Sequence, residues 1–326
     1  MKRILLVLLL TGFSLHAQQS WKRVLKLMGS RFEITVVAGN QTQADSRIDQ
    51  AVAEIRRIEK MISSWDPESE TSEVNRQAGV QPVQVSGELF ELISRCLELS
   101  KLTDGAFDIS YASMDRLWKF DGSMKELPSA EEIKASVERV GYQKIRLDEE
   151  LKTVFLPEKG MKIGFGAIGK GYAADKAKDL LLKQGVAAGI INASGDMSSW
   201  GTQPGGKPWQ VAITNPMDKT KSFGLLPMGE GAVVTSGDYE KFVRFNGKRY
   251  SHIMDPRTGY PATGIVSVTV FAPRAELADA LSTAVFVMGI ETGLDRIDQL
   301  EGIECIIVDD SGKLFTSERL DLKKLE

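Results

Sequence analysis

The segment Phe242-Val243-Arg244-Phe245-Asn246-Gly247-Lys248 constrains the fold more than any other part of the chain. Asn and Gly accept positive φ at small cost, so Asn246-Gly247 predicts a two-residue type I′ turn, whose twist matches that of the strands it joins. One strand is expected over 242–245 and its antiparallel partner from Lys248 to Ile253. Two further strand pairs read the same way. Ile145-Arg146-Leu147 and Val154-Phe155-Leu156 flank a polar turn, and 304–308 and 313–316 flank Ser311-Gly312. A chain built on such local pairings does not need the crossover helices of a parallel sheet.

Helical periodicity alternates with these hairpins. After a strand pattern over 30–38, Ile48, Val52, Ile55, Ile58 and Met61 fall on one helical face. The polar loop Ser63-Ser64-Trp65-Asp66-Pro67-Glu68 follows, and further helices are predicted over 87–102, 170–184 and 275–288. Mixed strands, hairpins and helices predict an α+β fold with largely antiparallel sheets and packed helices. The sequence has no internal repeat and no Pro/Gly/Ser-rich linker, so one composite domain over 18–326 is expected. With 42% hydrophobic residues in 326, a packed core is available to it.

The first 17 residues read differently. Lys2 and Arg3 precede the apolar run Ile4–Leu10 and then Ser14-Leu15-His16-Ala17, the pattern of a secretory signal cut near Ala17. That run is short of the roughly 20 apolar residues a membrane span needs. No cysteine lies near the cut to carry a lipid, so a soluble periplasmic or secreted protein is expected. A net charge of −3 without a basic cluster argues against nucleic-acid or polyanionic partners. Cys96 falls in a helical pattern and Cys305 in a strand pattern; two buried free thiols are favoured over a single disulfide.

The segment Gly164-Phe165-Gly166-Ala167-Ile168-Gly169-Lys170-Gly171 follows a short apolar strand and opens a helix. Such a turn can present backbone N–H groups to a phosphate. It satisfies G-x-G-x-x-G, yet the surrounding hairpins lack the βαβ context of a dinucleotide fold. It nearly satisfies the nucleotide-triphosphatase loop, except that Gly171 stands where a magnesium-binding hydroxyl belongs. Close helix packing through glycine would explain the same residues without a ligand. A separate pair, Asp279 and Thr283, is spaced to share one face of a helix, where a carboxylate and a hydroxyl can hold one hard cation. The plain alternative is a solvated Asp279 and a Thr283 bonded to its own helix.

Five ordered motifs settle the weighing. They are Met28-Gly29-Ser30; Thr103-Asp104-Gly105-Ala106-Phe107-Asp108; the glycine segment running into Tyr172-Ala173-Ala174-Asp175; Ser236-Gly237-Asp238-Tyr239 with the stretch from His252 to Pro261; and Ala278-Asp279-Ala280-Leu281-Ser282-Thr283-Ala284. Together they resemble the ApbE family, the FAD:protein FMN transferases, over nearly the whole chain after the signal. The resemblance implies that Met28, Trp65, Ala106, Phe107, Asp108, Lys170 and Ile253 contact FAD. It implies a magnesium ion held by Asp279, Thr283, the Ala167 carbonyl and Ser282, with manganese compatible with the same ligands. It also implies an acceptor flavoprotein, a membrane redox subunit, carrying a target threonine.

Each of these residues also has a structural reading: Met28, Phe107 and Ile253 as core, Trp65 as loop packing. His252, the histidine that remains after signal removal, is either a satisfied structural residue or a group that helps deprotonate the acceptor hydroxyl. Asp279 ranks above it as the catalytic candidate. Asp238 and Asp255 read as loop-shaping residues. The chain departs from the family at Gly164, where many members carry Asp. Three other functions compete with FMN transfer: FAD hydrolysis to FMN and AMP, non-catalytic FAD binding, and a serine hydrolase at Ser194 or Ser236. The last lacks a G-x-S-x-G elbow.

Overall fold

A computed structural model describes residues 18–218, 220–238 and 242–320, so the signal-like segment 1–17 and Tyr239 lie outside the described residues. The chain opens with β1 (Gln19–Leu27) and β2 (Ser30–Ala38), followed by α1 (Gln41–Ile62), α2 (Glu70–Arg76), β3 (Val83–Gln84) and α3 (Gly87–Leu102). A 3-10 turn at Ile109–Ser113 leads to α4 (Ala130–Ser136), β4 (Arg146–Asp148), β5 (Thr153–Phe155) and α5 (Gly169–Lys183). Then come β6 (Gly189–Ala193), β7 (Asp196–Trp200), β8 (Trp209–Thr214), β9 (Ser222–Met228), β10 (Gly231–Gly237), β11 (Phe242–Phe245), β12 (Lys248–Ser251) and β13 (Ile265–Ala272). The chain closes with α6 (Ala275–Met288), α7 (Ile290–Asp298), β14 (Glu304–Asp309) and β15 (Leu314–Thr316).

Eight strands form the main sheet in the order β1-β2-β6-β7-β10-β13-β14-β15. Its pairings are antiparallel throughout. The fold is α+β, as the hairpin signals require. Asn246 (φ 49°) and Gly247 (φ 78°) make the expected type I′ turn. The second strand stops at Ser251, short of Ile253: Met254 instead bridges Pro261, so His252 and Ile253 leave the ladder. Met28 (φ 49°) and Gly29 (φ 70°) turn β1 into β2 in the same way.

Three helices cover one face of the sheet. The α1 stripe buries Ile48, Val52, Ile55, Ile58 and Met61, as its periodicity predicts, and its N-terminus is capped by Asn40, whose side chain accepts the Gln43 N–H at 3.0 Å. The α5 and α6 helices pack beside it, and residues of all three join the sheet in one continuous core. On the opposite face the β8–β9 hairpin lays Trp209, Val211 and Ile213 against Val37, Val233 and Ile306. Cys96 and Cys305 are both buried and unbridged. Burial pushes the Cys305 thiol up to about 12, which keeps it protonated and unreactive. No helix among the described residues is long and apolar enough to cross a membrane.

Candidate active site

A cleft of about 650 Å³ opens where the N-terminus of α5, the N-terminal half of α6 and the ends of β7 and β10 meet. That is room for a drug- or nucleotide-sized ligand. Ala167 and Lys170 come from the glycine segment, Asp279 and Thr283 from α6, and His252 and Ile253 from the chain leaving β12. Ala106, Phe107 and Asp108 line the opposite wall. The cleft thus gathers residues from across the chain that the sequence marked separately.

The register of α5 against α6 sets the polar centre. A Cβ on Gly171 would lie 2.6 Å from the Ala275 carbonyl carbon and 2.9 Å from Asp279 Cβ, so only glycine permits this approach. The contact brings the Gly171 N–H to Asp279 Oδ2 at 3.1 Å. One turn further along α5, the buried Asp175 accepts the Glu276 N–H at 2.9 Å and the Ser198 hydroxyl at 2.9 Å, and it pairs with Arg274 at 3.2 Å. Arg274, the N-cap position of α6, makes no side-chain cap of its own. Asp175 therefore caps α6 from the neighbouring helix, satisfying an orphan first-turn donor and complementing the helix dipole.

Asp279 is 4% exposed, so it is not the solvated surface carboxylate of the plain reading. Burial raises its pKa; the Lys170 charge and the Gly171 N–H oppose that rise. Thr283 turns its hydroxyl to Ser236 Oγ at 3.3 Å. Ser282 takes the helix-bonding role instead: fully buried behind Thr283, it donates to the Asp279 carbonyl at 3.0 Å and meets Ser236 Oγ at 2.8 Å. Its side chain does not line the cleft.

The residue that sequence reasoning missed is Asp196. It is 1% exposed, lines the cleft and forms an ion pair with Lys170. Burial, then repulsion from Asp279, pushes its carboxyl up to about 7, against the attraction of Lys170. One lysine therefore faces two buried carboxylates. The available signal was Ser194-Gly195, a third two-residue turn with both residues at positive φ (57° and 104°), which joins β6 to β7. Ser194 thus shapes a turn, and its hydroxyl donates to the Arg31 carbonyl at 3.0 Å.

Among the remaining candidates His252 and Asp108 line the cleft, while Met28, Trp65, Asp238 and Asp255 do not. Met28 sits in its hairpin turn, half-buried against the core. Trp65 is 76% exposed, with the Arg116 guanidinium 4.7 Å above its ring. His252 meets the edge of Phe120, ring centroids 6.5 Å apart. Asp108 accepts from the Ser110 N–H and hydroxyl, both at 2.7 Å, and from the Tyr142 N–H at 2.8 Å, while burial raises its pKa. Asp238 pairs with Arg249 at 2.6 Å, and Asp255 accepts the Arg257 N–H at 2.9 Å, both in loop-shaping roles.

As a cation site, the Asp279 carboxylate, the Thr283 hydroxyl and the peptide oxygen of Ala167 offer hard oxygen donors from two elements on one cleft. Among the described residues no cluster of three or more His, Cys, Asp or Glu side chains forms. The donor set therefore suits an ion that keeps most of its shell as water or ligand phosphate, the habit of magnesium rather than zinc.

A helix N-terminus, a glycine segment, a lysine and buried carboxylates around one cleft define a protein that handles a phosphate-bearing ligand. The comparisons make that class specific. Residues 28–307 match the ApbE family, and the chain belongs to it. It is 33% identical over 304 residues to an FAD:protein FMN transferase of Klebsiella pneumoniae, covering 92% of this chain and 93% of that one. Among solved structures, the ApbE protein of Thermotoga maritima is 32% identical, with a TM-score of 0.84 over 92% of this chain and 97% of that one. The flavin transferase ApbE of Vibrio cholerae is 26% identical, with a TM-score of 0.82 over 95% and 100%.

Proposed function

We propose that this protein is an FAD:protein FMN transferase that moves FMN from FAD to a threonine hydroxyl of an acceptor flavoprotein and releases AMP. The buried carboxylates of Asp279 and Asp196 beside the partly exposed Lys170 at the glycine segment, inside a nucleotide-sized cleft, carry the reading. In the reaction the threonine oxygen attacks the FMN-side phosphorus, the phosphoanhydride bond breaks, and AMP leaves with the bridging oxygen. The threonine proton goes to a base in the cleft, for which His252 is the candidate, with Asp279 the principal catalytic residue. Lys170, held by Asp196, brings a positive charge to the phosphates, and the walls at Phe107 and Ile253 exclude water from them.

Magnesium would be held by Asp279, Thr283 and the Ala167 carbonyl, and when bound it supplies charge neutralisation at the pyrophosphate. Ser282 supports this set through the Asp279 carbonyl and Ser236. The signal-like segment 1–17 leads us to place the mature protein outside the cytoplasm, with the acceptor a membrane redox subunit whose flavin domain faces the same side.

Mass spectrometry of an acceptor domain incubated with FAD, magnesium and the mature protein tests the reading. The expected result is an FMN adduct on the acceptor threonine that requires magnesium and disappears with Asp279→Ala. Cleavage of FAD with an unmodified acceptor would make the protein a hydrolase. Intact FAD bound in the presence of acceptor would make it a carrier.

A further inference from the structure

The glycine segment carries a feature that neither a phosphate cradle nor helix packing accounts for. Tyr111 lies in the 3-10 turn that follows Asp108, and this turn is pinned directly to residues 162–164, which lead into the glycine segment without forming the strand expected there. Ser113 Oγ donates to the Lys162 carbonyl at 2.9 Å and accepts the Lys162 N–H at 2.7 Å, while the Gly164 N–H donates to the Ile109 carbonyl at 2.9 Å. So tethered, the Tyr111 ring lies in the cleft wall with its hydroxyl against the segment. A Cβ on Gly166 would overlap that hydroxyl, although it would stand an ordinary 3.6 Å from the ring carbon bearing it. A Cβ on Gly164 would meet Ala112 Cβ at 3.1 Å and the same hydroxyl at 3.6 Å. The position where the family resemblance leads one to expect a carboxylate is therefore bordered by a phenol.

The hydrogen bonding of that phenol is one-sided. Its oxygen lies against the Gly166 backbone, whose N–H opposes the rise that burial gives the phenol pKa. A phenol is also a donor, no hydrogen bond from this hydroxyl to an acceptor forms among the described residues, and Tyr111 lines the cleft. We propose that Tyr111 is a ligand-binding residue of this active site: its hydroxyl, oriented by the Gly166 N–H, donates to an acceptor atom of the bound nucleotide where the ligand crosses the glycine segment. Gly166 is glycine because this hydroxyl occupies the space of its side chain. The assignment rests on the reading of the cleft as an FAD site, and it replaces the carboxylate expected at position 164 by a hydrogen-bond donor from another element.

Tyr111→Phe, Gly166→Ala and the double variant test it on the whole mature protein, by FAD titration through flavin fluorescence and by thermal unfolding without ligand. Tyr111→Phe is expected to weaken FAD binding by about tenfold, the scale of one hydrogen bond to a polar or charged acceptor. Gly166→Ala is expected to lower the unfolding temperature when Tyr111 is present and to lose most of that effect in the Tyr111→Phe background, because the overlapping atom has gone. Parallel titrations with FMN and ADP locate the acceptor atom by showing which half of FAD loses affinity. FAD affinity unchanged by Tyr111→Phe, with the wild type binding normally, would overturn the assignment and leave the FAD reading intact. Gly166→Ala equally damaging in both backgrounds would overturn the geometry. A wild-type protein that binds no FAD would overturn the functional reading, and this assignment with it.

Discussion

Replacing Gly171 by Ala tests the contact that sets the whole polar centre. The added methyl would meet the Ala275 carbonyl carbon at 2.6 Å and Asp279 Cβ at 2.9 Å, both on the body of α6 and neither on a flexible side-chain end. The helices must move apart by roughly 1 Å to restore ordinary contact, and overpacking of this kind costs about 1–3 kcal/mol. Separation also stretches the 3.1 Å bond from the Gly171 N–H to the buried Asp279 carboxylate, a loss worth about 1–3 kcal/mol. Against this, alanine is the better helix former by about 1 kcal/mol. The net expectation is about 3 kcal/mol of destabilisation, a fall of roughly 6–12 °C in unfolding temperature at about 2–4 °C per kcal/mol. Because Asp279 moves with α6, turnover should fall by about 100-fold, the effect expected of a 1 Å misplacement of a catalytic group. Scanning calorimetry and the FMN-transfer assay measure the two quantities. An unfolding temperature that rises, with turnover unchanged, would show that helix propensity alone decides and that the close approach of α5 to α6 is not a constraint.

Asp279→Asn keeps the shape and can still accept the Gly171 N–H, so the fold should persist while FMN transfer falls by about 100-fold or more; circular dichroism and single-turnover kinetics separate the two. Lys170→Met leaves Asp196 buried without its cation and should cost about 3–5 kcal/mol. Adding Asp196→Asn should restore most of that stability but none of the activity, and recovery of both would remove Lys170 from the chemistry. Burial pushes the Glu88 carboxyl up, but the Arg57 guanidinium and the Tyr172 hydroxyl more than offset it and carry the group down to about 2. A depressed carboxyl stabilises the fold above its ordinary value of 4.5 and loses that contribution as the pH falls toward 2. The stability difference between wild type and Glu88→Gln should therefore be largest above pH 4.5 and close steadily below it in acid melts, whereas a pH-independent gap would refute the ion-pair account.

The parts of the fold that were legible are those where one local rule decides the conformation. The stripe of α1 follows the helical period, and Asn246-Gly247 carries the chemistry of its own turn, whereas α6 is buried on nearly every side and has no stripe. The parts that were not legible lack such a rule. The edge strand β1 sets Trp21, Leu25 and Leu27 on its inner face, but Arg23 interrupts that face and Val24 stands on the exposed one, which blurs the alternation, and its turn to β2 places a methionine at positive φ. Within β13 nearly every residue is buried, which reads as an apolar run without a period. The overlong second strand of the β11–β12 hairpin failed for a tertiary reason: the Met254–Pro261 bridge draws the chain away after Ser251.

The site divides along the same line. Asp279 and Thr283 could be read from their spacing because they belong to one helix. Asp196 could not, because its significance lies in Lys170 and Asp279, which reach it from two other elements. The glycine segment shows why its two sequence readings were not exclusive. Gly166 makes room for the Tyr111 hydroxyl and Gly171 for the backbone of α6, so these glycines serve packing, as the plain reading holds. The same packing is what delivers Lys170, Asp279 and the start of α5 to one cleft. A hydroxyl at position 171, as the triphosphatase loop requires, would push α6 away and dismantle the carboxylate site that lies there instead. The glycine that disqualifies the chain from one phosphate-binding class is thus a structural requirement of the site that it does build.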